Sequence, residues 1–392
     1  MNNITLAKDT INKRDVDNLI EWLKTYPRLT KGPVTAQLED KWSKWLGRDY
    51  SLFCNSGSSA NLLMLAALLE GEYISRTDKV VVPALSWATD LAPVMQLGLE
   101  PVLCDINMDN LSVDLESLEN IFKNESPSVL LLVSVLGLVP DMQRIVKLCQ
   151  KYNVILLEDV CESMGSAHKD KKLGTFGLMC SFSTYFGHHI STIEGGFVST
   201  DNTDLINILR SIRSHGWDRD MDFDKQQELR SEWSVDEFNS FYTFYYAGFN
   251  LRSTDLQAFI GLRQVDKLDN ICHQRNKNFL TYTKLINNPF WTPKNLQNAY
   301  VSNFAFPVIH PNKNIIVEML QKKNVEVRPL ICGSLGKQPF YIRKYGECNL
   351  PNVSIVDKYG FYLPNHALLT VDEIEFISKI VNNGIKNGEN LL

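Results

Sequence analysis

Val129-Leu-Leu-Leu-Val-Ser-Val135 and Val154-Ile-Leu-Leu-Glu-Asp159 are two apolar runs joined by the amphipathic stretch Met142 to Tyr152, and this strand–helix–strand rhythm decides the fold class. Neither run alternates with polar residues, so both strands are expected in a sheet covered on two faces. Working outward, Val80 to Pro83 and Val102 to Asp105 read as further strands, and Ala60 to Leu69 and Leu115 to Lys123 as helices. The alternation predicts crossover units and a mostly parallel sheet, an α/β fold. Its strands finish in polar or turn residues, Pro83-Ala-Leu-Ser86 and Glu158-Asp159. In such sheets ligands collect beyond the carboxyl ends of the strands, and the site is sought there.

At 392 residues the chain has room for two or three domains. Arg219 to Glu237 is polar and highly charged with no clear period, and Phe238 to Tyr246 crowds six aromatics into nine positions, so this region reads as an excursion from the sheet. A helical pattern resumes from Asp255 to about Leu285, and the domain boundary is placed on it. A large domain over residues 1–260 is expected, followed by a smaller C-terminal α+β domain over 261–392. The latter has apolar runs at Asn303 to Ile309 and Asn324 to Pro329 and a final helix near Val371 to Asn382.

A net charge of −5 offers no footprint for a nucleic-acid backbone or an anionic membrane surface, although it leaves room for a local basic pocket. Neither nucleic acid nor membrane is expected as a partner. The longest uncharged apolar run, Ser128 to Val139, falls short of the roughly 20 residues a spanning helix needs and reads as a buried strand. The N-terminal residues lack the apolar core of a secretory signal, so a cytoplasmic protein is expected. Eight cysteines are scattered without a Cys-x-x-Cys pair, which predicts reduced thiols and no metal site.

Three places carry chemistry. The turn Asn55-Ser-Gly-Ser-Ser-Ala60 follows an apolar run and opens a helix, which suits either a phosphate cradle or an ordinary serine cap. Asp159, at the end of an apolar strand, either points a carboxylate into the cleft or caps a turn. The most informative segment is Ser181-Phe-Ser-Thr-Tyr-Phe-Gly-His-His-Ile-Ser-Thr-Ile-Glu-Gly-Gly196.

That segment resembles the active-site segment of the sugar-nucleotide aminotransferases, fold type I (aspartate aminotransferase-like) enzymes dependent on pyridoxal phosphate. There a serine, a spacer, a lysine and then Glu-Gly-Gly recur in that order. Gly57-Ser58, Ser86-Trp87, Asp159, Arg213 to Arg219 and Gly248-Phe-Asn250-Leu-Arg252 stand at matching places, so the resemblance covers most of residues 20 to 330. It implies that the large domain binds the cofactor. His188 holds the place of the lysine. Imidazole forms no stable covalent link with the coenzyme aldehyde and acts only as acid or base. Within the family such a histidine is similar to that of two groups of 3-dehydratases that use pyridoxamine phosphate. One acts on a GDP-linked 4-keto-6-deoxy sugar. The other acts on a CDP-linked sugar and adds an iron–sulfur cluster bound by cysteines after the segment that matches His215 to Arg219. Here that place reads Asp220-Met-Asp-Phe-Asp, and no cysteine lies between Cys180 and Cys272, so the cluster cannot be built. Glu158-Asp-Val-Cys-Glu-Ser-Met-Gly165, Gly174-Thr-Phe-Gly-Leu-Met179 and the pair His188-His189 match the first group.

By resemblance, His188 is catalytic, and Gly57, Ser58 and Ser183 hold the coenzyme phosphate, joined by Asn250 of the second subunit of a homodimer with shared active sites. Trp87 stacks on the pyridine ring and Asp159 pairs with its nitrogen. Glu162, one helical turn after Asp159, lines the same pocket. L-Glutamate is the implied amino donor, with His215 and Arg252 contacting its carboxylates. Arg219 and Glu326 are assigned to the nucleotide-linked 4-keto-6-deoxy sugar, a hexose or heptose. Pro27, Arg28, Leu29 and Thr30 match the nucleotide-binding segment in place. An imidazole of ordinary pKa, about 6.5, is expected to take a proton from the coenzyme and return it to the carbon 3 hydroxyl as it leaves. A sugar-nucleotide 4-aminotransferase using a lysine from elsewhere and a non-catalytic sugar-nucleotide binder remain as alternatives; no lysine lies between Lys172 and Lys225.

Overall fold

In the computed structural model, which describes residues 3–294 and 297–389, the strand Val129–Val133 pairs in parallel with Ile155–Asp159, Val133 standing opposite Asp159. The helix Met142–Tyr152 crosses between them. It is capped at its start by Asp141, whose side chain accepts from Arg144 N, and it ends at Asn153 in the left-handed region. This αL asparagine ends the helix at low steric cost.

The two strands belong to a seven-stranded sheet in the order Tyr50–Cys54, Gly196–Thr200, Met179–Ser183, Ile155–Asp159, Val129–Val133, Lys79–Pro83, Glu100–Cys104. Neighbours from Met179–Ser183 to Glu100–Cys104 run parallel, whereas Gly196–Thr200 pairs antiparallel with both Met179–Ser183 and Tyr50–Cys54. Val129–Val133 is buried along its whole length, as expected for a strand covered on both faces. A second sheet joins Phe306–Ile309, Gly360–Leu363 and Arg328–Pro329, all antiparallel. The long helix Asp255–Leu285 packs against Pro33–Leu46 near its start and against Val371–Glu389 further along. Beneath it, Trp42 lies flat on Phe197 at 4.3 Å between ring centroids, both fully buried.

The region Arg219 to Glu237, which shows no clear period in sequence, contains the helix Phe223–Glu232. Only Leu229 of that helix is buried, so no apolar period marks it, and it is tied down by charge, Arg230 Nε donating to Asp218 over 2.6 Å. The apolar run Ser128 to Val139 is not one strand. The strand stops at Val133, and Val135–Gly137 makes a 3₁₀ turn with Leu136 at φ +54°. The final helix runs past Asn382 to Glu389. Among the described residues no helix is long and apolar enough to cross a membrane.

Candidate active site

Five strands of the large sheet end on one side of the fold, and a cavity of about 650 Å³ opens there. Val133, Asp159 and Ser183, each the last residue of its strand, form part of its wall. Opposite them the helix Gly57–Glu70 begins, with Ser56 as its cap accepting from Ser59 N. Gly57 presses against Ser183 so closely that a Cβ on it would lie 2.6 Å from the serine Cβ. The free amides of this helix start, with Ser58 and Ser183 beside them, form an anion cradle that a larger residue at 57 would fill. The serine is thus a cap, and the cradle stands next to it.

Asp159 is buried and held from two sides: Asn61 Nδ2 donates to Oδ2 over 2.6 Å and Cys161 N to Oδ1 over 2.8 Å. Asn61 also donates to Asp90 Oδ1 over 2.9 Å. Burial, and then the neighbouring Asp159 carboxylate, push the Asp90 carboxyl well above its usual range, as expected where two carboxyl groups share one donor. Glu162 also lines the cavity, although residues 160–166 form turns rather than the helical turn expected. Burial pushes its carboxyl up to about 8, with Asp159 adding to the shift and the bond from Leu136 N at 2.7 Å opposing it. Trp87 stands at the rim, 56 % exposed, its main chain fixed by Trp87 N donating to Asp90 Oδ2 over 2.9 Å. An exposed indole held by its backbone is a platform for a flat ring.

His188 lies in the cavity wall with its ring against Phe304 at 5.2 Å, and its buried Nδ1 has no hydrogen-bond partner. Burial lowers its pKa to about 4, Asp159 opposing and Arg275 reinforcing the shift. The imidazole is therefore neutral at physiological pH, which corrects the expectation of an ordinary value near 6.5. His189 is buried too and turned away from the cavity, its Nε2 2.9 Å from Ser302 Oγ.

A model of the DegT/DnrJ/EryC1/StrS aminotransferase family matches residues 9–382. The chain belongs to this family. Among its members, GDP-4-keto-6-deoxy-D-mannose 3-dehydratase of Escherichia coli O55:H7 is 33% identical over 90% of this chain and 92% of its own length. The enzyme of that name from Yersinia pseudotuberculosis is 32% identical over 97% and 98%. A crystal structure of GDP-4-keto-6-deoxymannose-3-dehydratase with a trapped PLP–glutamate geminal diamine superposes with a TM-score of 0.85 at 30% identity, covering 97% of this chain and all of that one. UDP-4-amino-4,6-dideoxy-N-acetyl-beta-L-altrosamine transaminases of Helicobacter pylori and Campylobacter jejuni match as well, at 26% identity. The α/β fold is the one the resemblance implied.

Of the residues singled out from the sequence, the cavity brings together Gly57, Ser58, Trp87, Asp159, Glu162, Ser183, His188 and Glu326. It does not include Asn250, His215, Arg219 or Arg252, which form a separate cluster. Arg252 Nη2 lies 3.3 Å from His215 Nε2, Arg252 Nε donates to Asn250 Oδ1 over 3.1 Å, and the Arg219 guanidinium stacks 4.0 Å over Trp217. Pro27, Arg28, Leu29 and Thr30 also lie outside the cavity; Leu29 O accepts from Asp255 N, and Thr30 bridges to Thr254.

Several wall residues escaped the sequence reading. Thr5, Leu6 and Ala7 line the cavity because Ile4 pairs with Val325 and Leu6 N donates to Glu326 Oε2 over 3.0 Å. Arg328 joins them, paired with Glu326. The spacing of Glu326 and Arg328 by two residues in an extended segment is a signal that both face one side. Asn61 and Asp90 gave none, because their role depends on a carboxylate far away in the chain.

Proposed function

We propose that this chain is a pyridoxamine-phosphate-dependent 3-dehydratase that removes the carbon 3 hydroxyl of a GDP-linked 4-keto-6-deoxy sugar, with L-glutamate restoring the amine. The observation that carries this reading is that a histidine with an unpartnered ring nitrogen lines the cavity where the family has a lysine, and no lysine lines it among the described residues. The 3-dehydratases similar to this chain, and the glutamate adduct trapped in one of them, support the substrate class and the donor.

The cavity fits the coenzyme: the Gly57 cradle suits its phosphate, Asp159 its ring nitrogen and Trp87 its face. When bound, the coenzyme supplies an amine for the sugar ketone at carbon 4 and a ring that accepts electrons. Asp159, anchored by Asn61 and Cys161 N, keeps the ring nitrogen protonated. His188, neutral, would serve as the base beside the bound coenzyme, accepting a proton at a ring nitrogen. A buried imidazolium is a strong acid, so His188 readily gives that proton to the carbon 3 oxygen as it leaves. The low pKa leaves the ring free to accept a proton and favours its return to the leaving oxygen, at a cost in base strength. With no lysine to tether the coenzyme, its retention rests on the cradle, the indole and Asp159.

The protein acts as a homodimer in this reading, with Asn250, His215 and Arg252 completing the partner's site. Incubation with pyridoxamine phosphate, L-glutamate and a panel of GDP-, CDP- and dTDP-linked 4-keto sugars tests it. Loss of water to a ketone product from the GDP sugar is expected. A stable amino sugar marks an aminotransferase, and unchanged substrate marks a binder.

A further inference from the structure

Arg275, on the long helix Asp255–Leu285, is 3 % exposed and lacks an acidic partner within ion-pair distance among the described residues. Its guanidinium is satisfied by carbonyl oxygens instead. Nη1 donates to Phe304 O over 2.8 Å and Asn365 O over 2.9 Å, and Nη2 donates to His188 O over 3.2 Å. Nε has no partner. A buried guanidinium without a carboxylate carries a large desolvation cost, and burial lowers even its pKa to about 10. Its donors reach the main chain of His188 and of Phe304, the residue whose ring lies against the His188 imidazole. Asn365, whose carbonyl it holds, donates in turn to Asn303 O over 2.9 Å, and Asn303 Nδ2 reaches Leu136 O over 2.6 Å.

Resting on the assignment of His188 as the base, we propose that Arg275 is its positioning residue: it fixes the main chain beneath the imidazole and the ring packed on it, and places an uncompensated positive charge beside it. The charged and titratable groups around His188 are Asp159, Cys161 and Glu162 from the strand end and the following turn, His189 next in the chain, and Arg275 from the helix; the Cys161 main chain also favours the protonated form of the ring. Asp159 favours the protonated ring, whereas Arg275 and burial oppose it. His189 and His366 feel the same cation, so Arg275 disfavours protonation of three imidazoles at once.

The test uses Arg275→Met, Arg275→Lys and His188→Asn in the full chain. Histidine-labelled, coenzyme-free protein is titrated by NMR, with His188→Asn assigning the resonance, and the holoenzyme is assayed with the GDP sugar. Arg275→Met should raise the His188 titration midpoint and move the acid limb of kcat upward, so that the rate at about pH 4.5 relative to about pH 8 falls about twofold or more. Arg275→Lys keeps the charge but not the reach. Its midpoint should match wild type while kcat falls about tenfold and KM for the sugar nucleotide holds. An unmoved midpoint in Arg275→Met overturns the proposal, and so does wild-type kcat in Arg275→Lys, which decides the matter if Arg275→Met does not fold. If His188→Asn dehydrates at the wild-type rate, the base assignment fails instead, and the NMR titration still reads the coupling.

Discussion

Asn61 Nδ2 lies 2.6 Å from Asp159 Oδ2, a charge-assisted hydrogen bond from the first helix of the cavity wall to the end of a central strand. Because the same amide reaches Asp90, one side chain satisfies two buried carboxyl groups. Asn61→Leu should leave both short of a donor and destabilise the apoprotein by about 1–3 kcal/mol. It should also weaken coenzyme retention on dialysis. A urea midpoint equal to wild type would remove Asn61 from this role.

The pH dependence of stability separates two groups. Glu162 has its folded pKa raised from 4.5 to about 8, so the native state holds the proton more tightly and stability falls as pH rises between those values. His188 has its folded pKa lowered from 6.5 to about 4, so stability falls as pH drops through that window. Glu162→Gln apoprotein should therefore gain on wild type progressively from about pH 5 to about pH 8, by a few kcal/mol at most since the carboxyl lines an open cavity. His188→Asn should lose less than wild type below about pH 6. Parallel stability curves for Glu162→Gln and wild type would contradict the raised carboxyl.

His188→Lys restores the family's usual residue. It should yield a borohydride-stable link to pyridoxal phosphate at residue 188, detectable by peptide mass, which wild type lacks. Dehydration should fall by about 100-fold to 10,000-fold, because a positioned acid–base group is replaced and the coenzyme is tethered. A wild-type rate in this variant would refute the untethered base.

Composite sites predict complementation. Asn250 belongs to the cluster with Arg252 and His215 outside the cavity. Mixing Asn250→Ala with His188→Ala should restore activity through hybrid dimers with one intact site. No recovery after verified subunit exchange argues against shared sites.

The eight cysteines are all free, and none lies between Cys180 and Cys272. Dehydration should proceed with metal-free protein and no electron donor. Stoichiometric iron, or activity that appears only with a reductase, would overturn this.

By itself the sequence determined four neighbouring strands of the sheet and marked the segment that carries His188. Met142–Tyr152 and, to within its C-terminal turn, Asp255–Leu285 could be read because apolar spacing is local, set by neighbours three or four positions away. The place of His188 was legible because Ser183 and Glu194-Gly-Gly196 flank it in the chain. Tertiary structure alone decided the rest. The polar helix Phe223–Glu232 has almost no buried face to leave a pattern, and its Arg230 pairs with a buried aspartate outside it. The low pKa of His188 follows from desolvation, and Arg275, which adds to it, lies 87 positions away in the chain. Thr5, Leu6 and Ala7 reach the cavity through Glu326, 320 residues beyond Leu6. Burial and charge are properties of what surrounds a group in space, and around His188 and Thr5 to Ala7 those surroundings come from distant parts of the chain.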